Sequence, residues 1–199
     1  MISVIDYGAG NLRSMANALR LIGADISIEK SLSKDASAII LPGVGNFGDC
    51  LSKLDSERQR IIDAIDSGTP FLGVCVGLQA LLEGSTEAKD AKGFGFFKGD
   101  CLKFDVKKVP GGKVPHMGWN SVSELKSPLF EGIKENEDFY FVHSYYAPLM
   151  PETIAVCEYG MPFSAALEKK NVYATQFHPE RSGAAGLKIL ENFLKLSKK

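Results

Sequence analysis

Two short stretches hold the residue types that covalent chemistry requires. One is Gly73-Val74-Cys75-Val76-Gly77, a thiol set between two glycines at the end of the apolar run "FLGVC". The other is His178-Pro179-Glu180, within "TQFHPE". A thiol becomes a strong nucleophile as the thiolate, beside a base that takes and returns a proton, and the base works best when a third group fixes its tautomer. A strand ending at Val74 and a helix starting near Gly77 would set Cys75 on a sharp strand-to-helix turn, the elbow geometry of G-x-S-x-G nucleophiles. The flanking glycines let backbone come close to a neighbouring strand and to a substrate. Helix-start amides and the helix dipole would also favour the thiolate. In the second stretch, Pro179 biases His178 toward extended backbone, so His178 and Glu180, two apart, project from one side of the chain. Singly, each stretch has an ordinary reading, a small buried cysteine or a histidine that closes a strand. Together they predict a Cys-His-Glu triad.

A glycine-rich turn offers a competing chemistry. "GVGNFG", Gly43 to Gly48, fits G-x-G-x-x-G after the apolar "AIILP" and before a possible helix, the pattern of a dinucleotide-binding turn. The acid expected at the end of the next strand is missing, because that strand ends at Cys75, and Pro42 sits in the turn. A turn beside the elbow is better suited to presenting backbone N–H groups to a developing oxyanion. "YGAGNL", Tyr7 to Leu12, is weaker, with Arg13 where a third glycine belongs. His116 and His143 are read as structural, and no spacing of Cys, His or carboxylates suggests a metal site.

The elements that must hold these residues alternate in the first half of the chain. "ISVID" is a strand and "NLRSMANALRLIG" a helix with Leu12, Met15, Leu19 and Ile22 on one face and Gly23 as its stop. "ASAIILPG" is a buried strand, "DSERQRIIDAIDSG" a helix with Ile61, Ile62 and Ile65 inward and Gly68 closing it, and "TPFLGVC" a further strand. Strands interleaved with helices imply a parallel sheet covered on both faces. From about Lys92, "DFYFVHSYY", "TIAVCEYG" and "FSAALEKKNVYATQF" alternate with short polar turns, as antiparallel strands do, and "GAAGLKILENFLKL" is a last helix. The expected class is α/β, a mainly parallel open sheet flanked by helices with an additional antiparallel region.

Bulk properties narrow the function. A chain of 199 residues without repeats or linkers is expected to form one domain, residues 1–199. Lys+Arg of 23 against Asp+Glu of 24 leaves no basic stripe for nucleic acid or an anionic membrane, and the terminal "KLSKK" suits a helix C-terminus. No apolar run is long enough to span a bilayer, and "MISVIDYGAG" lacks the features of a signal peptide. Cys50, Cys75, Cys101 and Cys157 show neither CxxC spacing nor the density of a secreted disulfide scaffold, so a reducing cytoplasm is expected.

Along nearly the whole chain, "DYGAGNLRS", "LPGVGNFGD", "GVCVGLQ", "PHMGWN", "FYFVHSYY" and "QFHPERSG" resemble, in order and spacing, the class I glutamine amidotransferases. Within them they are similar to the glutaminase subunits of imidazole glycerol phosphate synthase. Val76 and Leu78 stand where Leu and Met are common, which keeps side-chain size. The resemblance implies that Cys75 attacks the carboxamide of L-glutamine, that His178 protonates the departing ammonia, and that Glu180 orients His178. It implies an oxyanion hole from the backbone of Val76 and of Gly43 and Val44, the latter pair after a peptide flip. Gln79, Glu87, Ser144 and Tyr145 would hold the amino-acid end of glutamine, and no cofactor is implied. Asn11, Trp119 and Arg181 match the docking face for a (β/α)8 barrel cyclase. That partner would use the ammonia on N′-(5′-phosphoribulosyl)formimino-aminoimidazole carboxamide ribonucleotide, giving imidazole glycerol phosphate and aminoimidazole carboxamide ribonucleotide in histidine biosynthesis.

Three alternatives remain at this point: a paralogue feeding ammonia to a different synthetase, an elbow-cysteine hydrolase with no need for Gln79 and Glu87, and a non-catalytic binding protein.

Overall fold

The expected strands and two others assemble into a nine-stranded sheet. The computed structural model describes residues 1–8 and 11–197. Ala9 and Gly10, at the middle of the "YGAGNL" motif, and the last two lysines of the basic tail lie outside them. In chain order the elements are β1 (Ile2–Ile5), α1 (Leu12–Leu21), β2 (Ile26–Glu29), β3 (Ala38–Gly43), α2 (Phe47–Leu54), α3 (Arg58–Asp66), β4 (Phe71–Cys75) and α4 (Val76–Ala80). Then follow β5 (Gly84–Ser85), β6 (Asp100–Lys103), β7 (His116–Ser123), β8 (Glu137–His143), β9 (Tyr145–Tyr146), β10 (Thr153–Glu158), β11 (Pro162–Lys169), β12 (Val172–Thr175) and α5 (Gly183–Leu196).

The strand order is β2-β1-β3-β4-β12-β11-β10-β7-β8. From β2 to β12 neighbours run parallel; from β12 to β8 they run antiparallel. The antiparallel region is thus continuous with the parallel sheet. A small second sheet joins β5, β6 and β9. The buried faces follow the apolar periodicity. Met15 and Leu19 of α1, and Ile61 and Ile65 of α3, are almost wholly excluded from solvent, whereas Leu12, Ile22 and Ile62 pack at the margin. Gly23 and Gly68 take positive φ just past their helices, the conformation that glycine reaches without a Cβ clash. Strands β5, β6 and β7 are additions to the expected elements, and so is β2. Strand β2 lies at the sheet edge and is only half-buried, so its apolar pattern is short and weak.

Topology explains where the site lies. From β1 the chain crosses through α1 to β2 on one side, and from β3 through α2 and α3 to β4 on the other. Right-handed crossovers in opposite directions put α1 on one face of the sheet and α2 and α3 on the opposite face. They open a crevice at the carboxyl ends of the strands. Strands β3, β4 and β12 all end at this rim, with Gly43 opposite Cys75 and Thr175 opposite Val74.

Candidate active site

Cys75 terminates β4 with φ 54° and ψ −104°, a left-handed backbone that few non-glycine residues adopt. Close packing enforces this elbow. A Cβ on Gly73 would lie 2.6 Å from the Gly77 carbonyl oxygen, and one on Gly77 only 2.1 Å from the Leu41 carbonyl oxygen. Only glycine at both positions lets α4 fold back onto β3 and β4. The expected helix begins one residue earlier than the sequence suggests, at Val76, and spans five residues. At that length its dipole adds little, because the effect grows with aligned peptides.

His178 is pinned through its backbone. Its N–H donates to the Tyr140 carbonyl at 2.9 Å, and its carbonyl accepts from Ser182 Oγ at 2.7 Å. Phe177, fully buried, stacks on Phe139 with ring centroids 4.2 Å apart. Burying such a ring is worth about 1.5–3 kcal/mol, which fixes the alternation that turns Gln176 and His178 away from it. His178 Nδ1 meets Glu180 Oε1 at 2.9 Å, with both side chains 1 % exposed. Burial alone would lower the pKa of this imidazole. The Cys75 sulfur and the Glu180 carboxylate outweigh burial and push it up to about 10. The Cys75 thiol faces the Val142 carbonyl at 3.8 Å, while His178 Nε2 is buried with no hydrogen-bond partner among the described residues.

Beside the thiol lies a cavity of about 400 Å³ lined by Val44, Val76, Gln79, Glu87, Ser144 and Tyr145, with Arg181 at its rim. All the residues expected to serve the oxyanion or the substrate therefore lie at one site with Cys75, Gly43 as its register partner. Glu87 accepts from the Phe47 N–H at 2.7 Å at the start of α2. The next two amides of α2 donate to Asn46 Oδ1 at 2.8 and 3.2 Å. The G-x-G-x-x-G turn thus spends its helix-start donors on the protein's own side chains, which removes the dinucleotide reading.

The expected docking residues divide. Trp119 is 58 % exposed on β7 and packs edge-on against Tyr140, whose ring also carries the Arg181 guanidinium at 4.4 Å. Asn11 precedes α1 at its N-cap position without a side-chain capping bond. Tyr140, which joins Trp119 to Arg181, was not legible beforehand, since strand packing explains a tyrosine in "DFYFVH" equally well.

His116 and His143 form a buried relay. His143 Nδ1 is 2.8 Å from the Tyr145 carbonyl, which can only accept, so the proton sits on Nδ1. Its Nε2 then accepts from His116 Nδ1 at 3.0 Å, and His116 Nε2 accepts from Asn120 Nδ2 at 3.2 Å. Both rings are neutral. Burial pushes His116 down to about 4; burial and then the neighbouring His116 push His143 down to about 3.

The family model for glutamine amidotransferase class-I matches residues 3–196. The chain is 50 % identical to imidazole glycerol phosphate synthase subunit HisH of Methanocaldococcus jannaschii, covering 98 % of this chain and 100 % of that one. It is 48 % identical to the subunit of the same name from Methanothermobacter thermautotrophicus, covering 98 % of each. Among solved structures, one described as PurLQS from Thermotoga maritima superposes with a TM-score of 0.74 at 22 % identity, covering 98 % of this chain and 97 % of that one. Another, described as a glutamine amidotransferase, reaches 0.76 at 16 % identity, covering 100 % and 99 %; at such identities these two speak for the fold. No helix among the described residues is long and apolar enough to cross a membrane. With an elbow thiol, a His-Glu pair and a match over almost its whole length, the chain belongs to the class I glutamine amidotransferases.

Proposed function

We propose that this chain is the glutaminase subunit of an imidazole glycerol phosphate synthase, working in the cytoplasm with a (β/α)8 barrel cyclase that receives its ammonia. The observation that carries the reading is the near-complete mutual coverage with subunits of that name at 48–50 % identity. It is joined to a cavity that gathers Cys75, Gln79, Glu87, Ser144 and Tyr145.

The chemistry follows from the groups at hand. The Cys75 sulfur adds to the carboxamide carbon of glutamine, and the carbonyl oxygen becomes an oxyanion facing the Val76 N–H and the Gly43-Val44 turn. The imidazolium of His178, held by Glu180, gives its proton to the amide nitrogen as the C–N bond breaks and ammonia leaves. A water then adds to the thioester and passes its proton to His178. The C–S bond breaks, glutamate departs, and the electron pair returns to sulfur. The Glu87 carboxylate and the Ser144-Tyr145 segment, which line the cavity, suit a zwitterionic amino-acid end. The acceptor chemistry belongs to the partner.

The test is a Cys75→Ala chain assembled with the barrel subunit. Synthesis from glutamine should disappear while synthesis from added ammonium salts continues. Loss of both activities in a well-folded complex would overturn the division of labour, and ammonia accepted by a different synthetase would identify a paralogue.

A further inference from the structure

The side chain of Gln176, wholly buried, reaches the nucleophile from behind, with its Nε2 3.6 Å from Cys75 Sγ. An amide is symmetric in shape, so its polarity must be argued from its neighbours. The Tyr145 carbonyl decides it. That oxygen can only accept, and it lies 3.0 Å from Gln79 Nε2, so the NH₂ end of Gln79 faces inward. The same NH₂ group lies 3.4 Å from the Gln176 side chain, which must answer with its carbonyl Oε1. The NH₂ end of Gln176 is thereby left facing sulfur. The Tyr145 carbonyl also accepts from His143 Nδ1, and His143 Nε2 accepts in turn from His116 Nδ1, so the polarity is anchored on β7 and β8.

We infer that Gln176 is a further catalytic residue: its carboxamide donates to the Cys75 sulfur and stabilises the thiolate, with Gln79 and the Tyr145 carbonyl setting its orientation. The inference rests on Cys75 being the nucleophile. A donor aimed at an anionic acceptor in a buried site is a charge-assisted bond, stronger than a neutral one. It fills a need left by the geometry. The five-residue α4 supplies little dipole, and the thiol is turned toward Val142. Gln79 consequently has two tasks, since its Nε2 is committed to Tyr145 and Gln176 while its Oε1 remains for a ligand in the cavity.

The experiment is alkylation of the full-length chain by iodoacetamide across pH 6 to 10, with modification of each cysteine followed by peptide mass mapping. The other thiols make a quiet background, because burial pushes Cys50 and Cys157 up to about 12 and raises Cys101 as well. Gln176→Met keeps length and removes the donor. Modification of Cys75 at pH 7 should slow about tenfold, in keeping with one hydrogen bond to a charged group, and the deficit should shrink as pH rises. Gln176→Glu, which sets a carboxyl group against sulfur, should slow it at least as much. A Cys75 rate and pH profile equal to wild type in either folded variant overturns the inference. Failure of the nucleophile reading looks different: wild-type Cys75 would then react no faster than the other three thiols, and Cys75→Ala would keep glutamine-dependent synthesis.

Discussion

Gly43 and Cys75 are Cα partners in the register of β3 and β4, so the last residue of one parallel strand lies directly beside the proposed nucleophile at the end of the next. A Cβ on Gly43 would lie 2.8 Å from the Tyr7 hydroxyl and 2.9 Å from Val76 Cβ. The Tyr7 ring is buried and cannot swing away without opening the core. Gly43→Ala should therefore disturb the Gly43-Val44 peptide and lower kcat by about 10²- to 10³-fold, the usual effect of losing one oxyanion donor. Overpacking should also cost about 1–3 kcal/mol of stability. Steady-state glutaminase assays of the complex, together with thermal unfolding, check both. A near-normal kcat would mean that the oxyanion is met by other groups.

Glu180→Gln tests the orienting role. A glutamine can still accept from His178 Nδ1, but the negative charge is lost, and with it one of the influences that raise the imidazole pKa. Activity should fall by about 10²- to 10⁴-fold, within the span of general acid-base contributions. The charged imidazole stabilises the folded chain fully below its unfolded pKa of about 6.5, and that contribution is lost as pH rises toward about 10. The variant should lose its proton at lower pH, which ring-proton NMR would detect. An unchanged rate would remove Glu180 from the triad.

The neutral pair His116 and His143 predicts acid sensitivity. Their folded pKa values of about 4 and about 3 lie below the ordinary 6.5, so on acidification the unfolded chain takes up protons that the folded chain refuses. Stability tied to the pair is present above about pH 6.5 and falls as pH drops toward 4. The loss between pH 7 and pH 5 is on the order of a few kcal/mol. Urea titrations at the two pH values would measure it, and His116→Asn should show roughly half the difference. Equal pH dependence in the variant would assign the effect to other groups.

The exposed Trp119, linked through Tyr140 to Arg181 at the cavity rim, predicts dependence on the partner. The isolated chain should hydrolyse glutamine slowly, in keeping with a thiol facing Val142 and a His178 Nε2 that has no hydrogen-bond partner among the described residues. Adding the barrel subunit and its nucleotide ligand should activate it. Trp119→Ala should weaken association by roughly 30-fold, as loss of an interface anchor does, and Arg181→Ala should reduce activation. Full activity without the partner would refute the gating, and unchanged activation in both variants would move the docking face elsewhere.

Local pattern alone determined much of this protein. The apolar runs ending in Gly43 and Cys75 specified strands because a buried parallel strand must be apolar on both faces. The glycines flanking Cys75 and the two-residue spacing of His178 and Glu180 specified an elbow and an imidazole-carboxylate pair, since each depends on backbone geometry within a few residues. Gln176 lies two residues before His178 on the same alternation, but the sequence alone did not single it out, because nothing local sets an amide there against a sulfur. Only the tertiary structure put β12 beside β4, because strand pairing at that distance is selected by packing of the whole sheet and by crossover handedness, which no local window contains. That pairing brings His178 and Gln176 to Cys75 from about a hundred residues away. The fold also decides which end of the Gln176 amide faces sulfur, through a carbonyl at Tyr145 that the sequence does not orient.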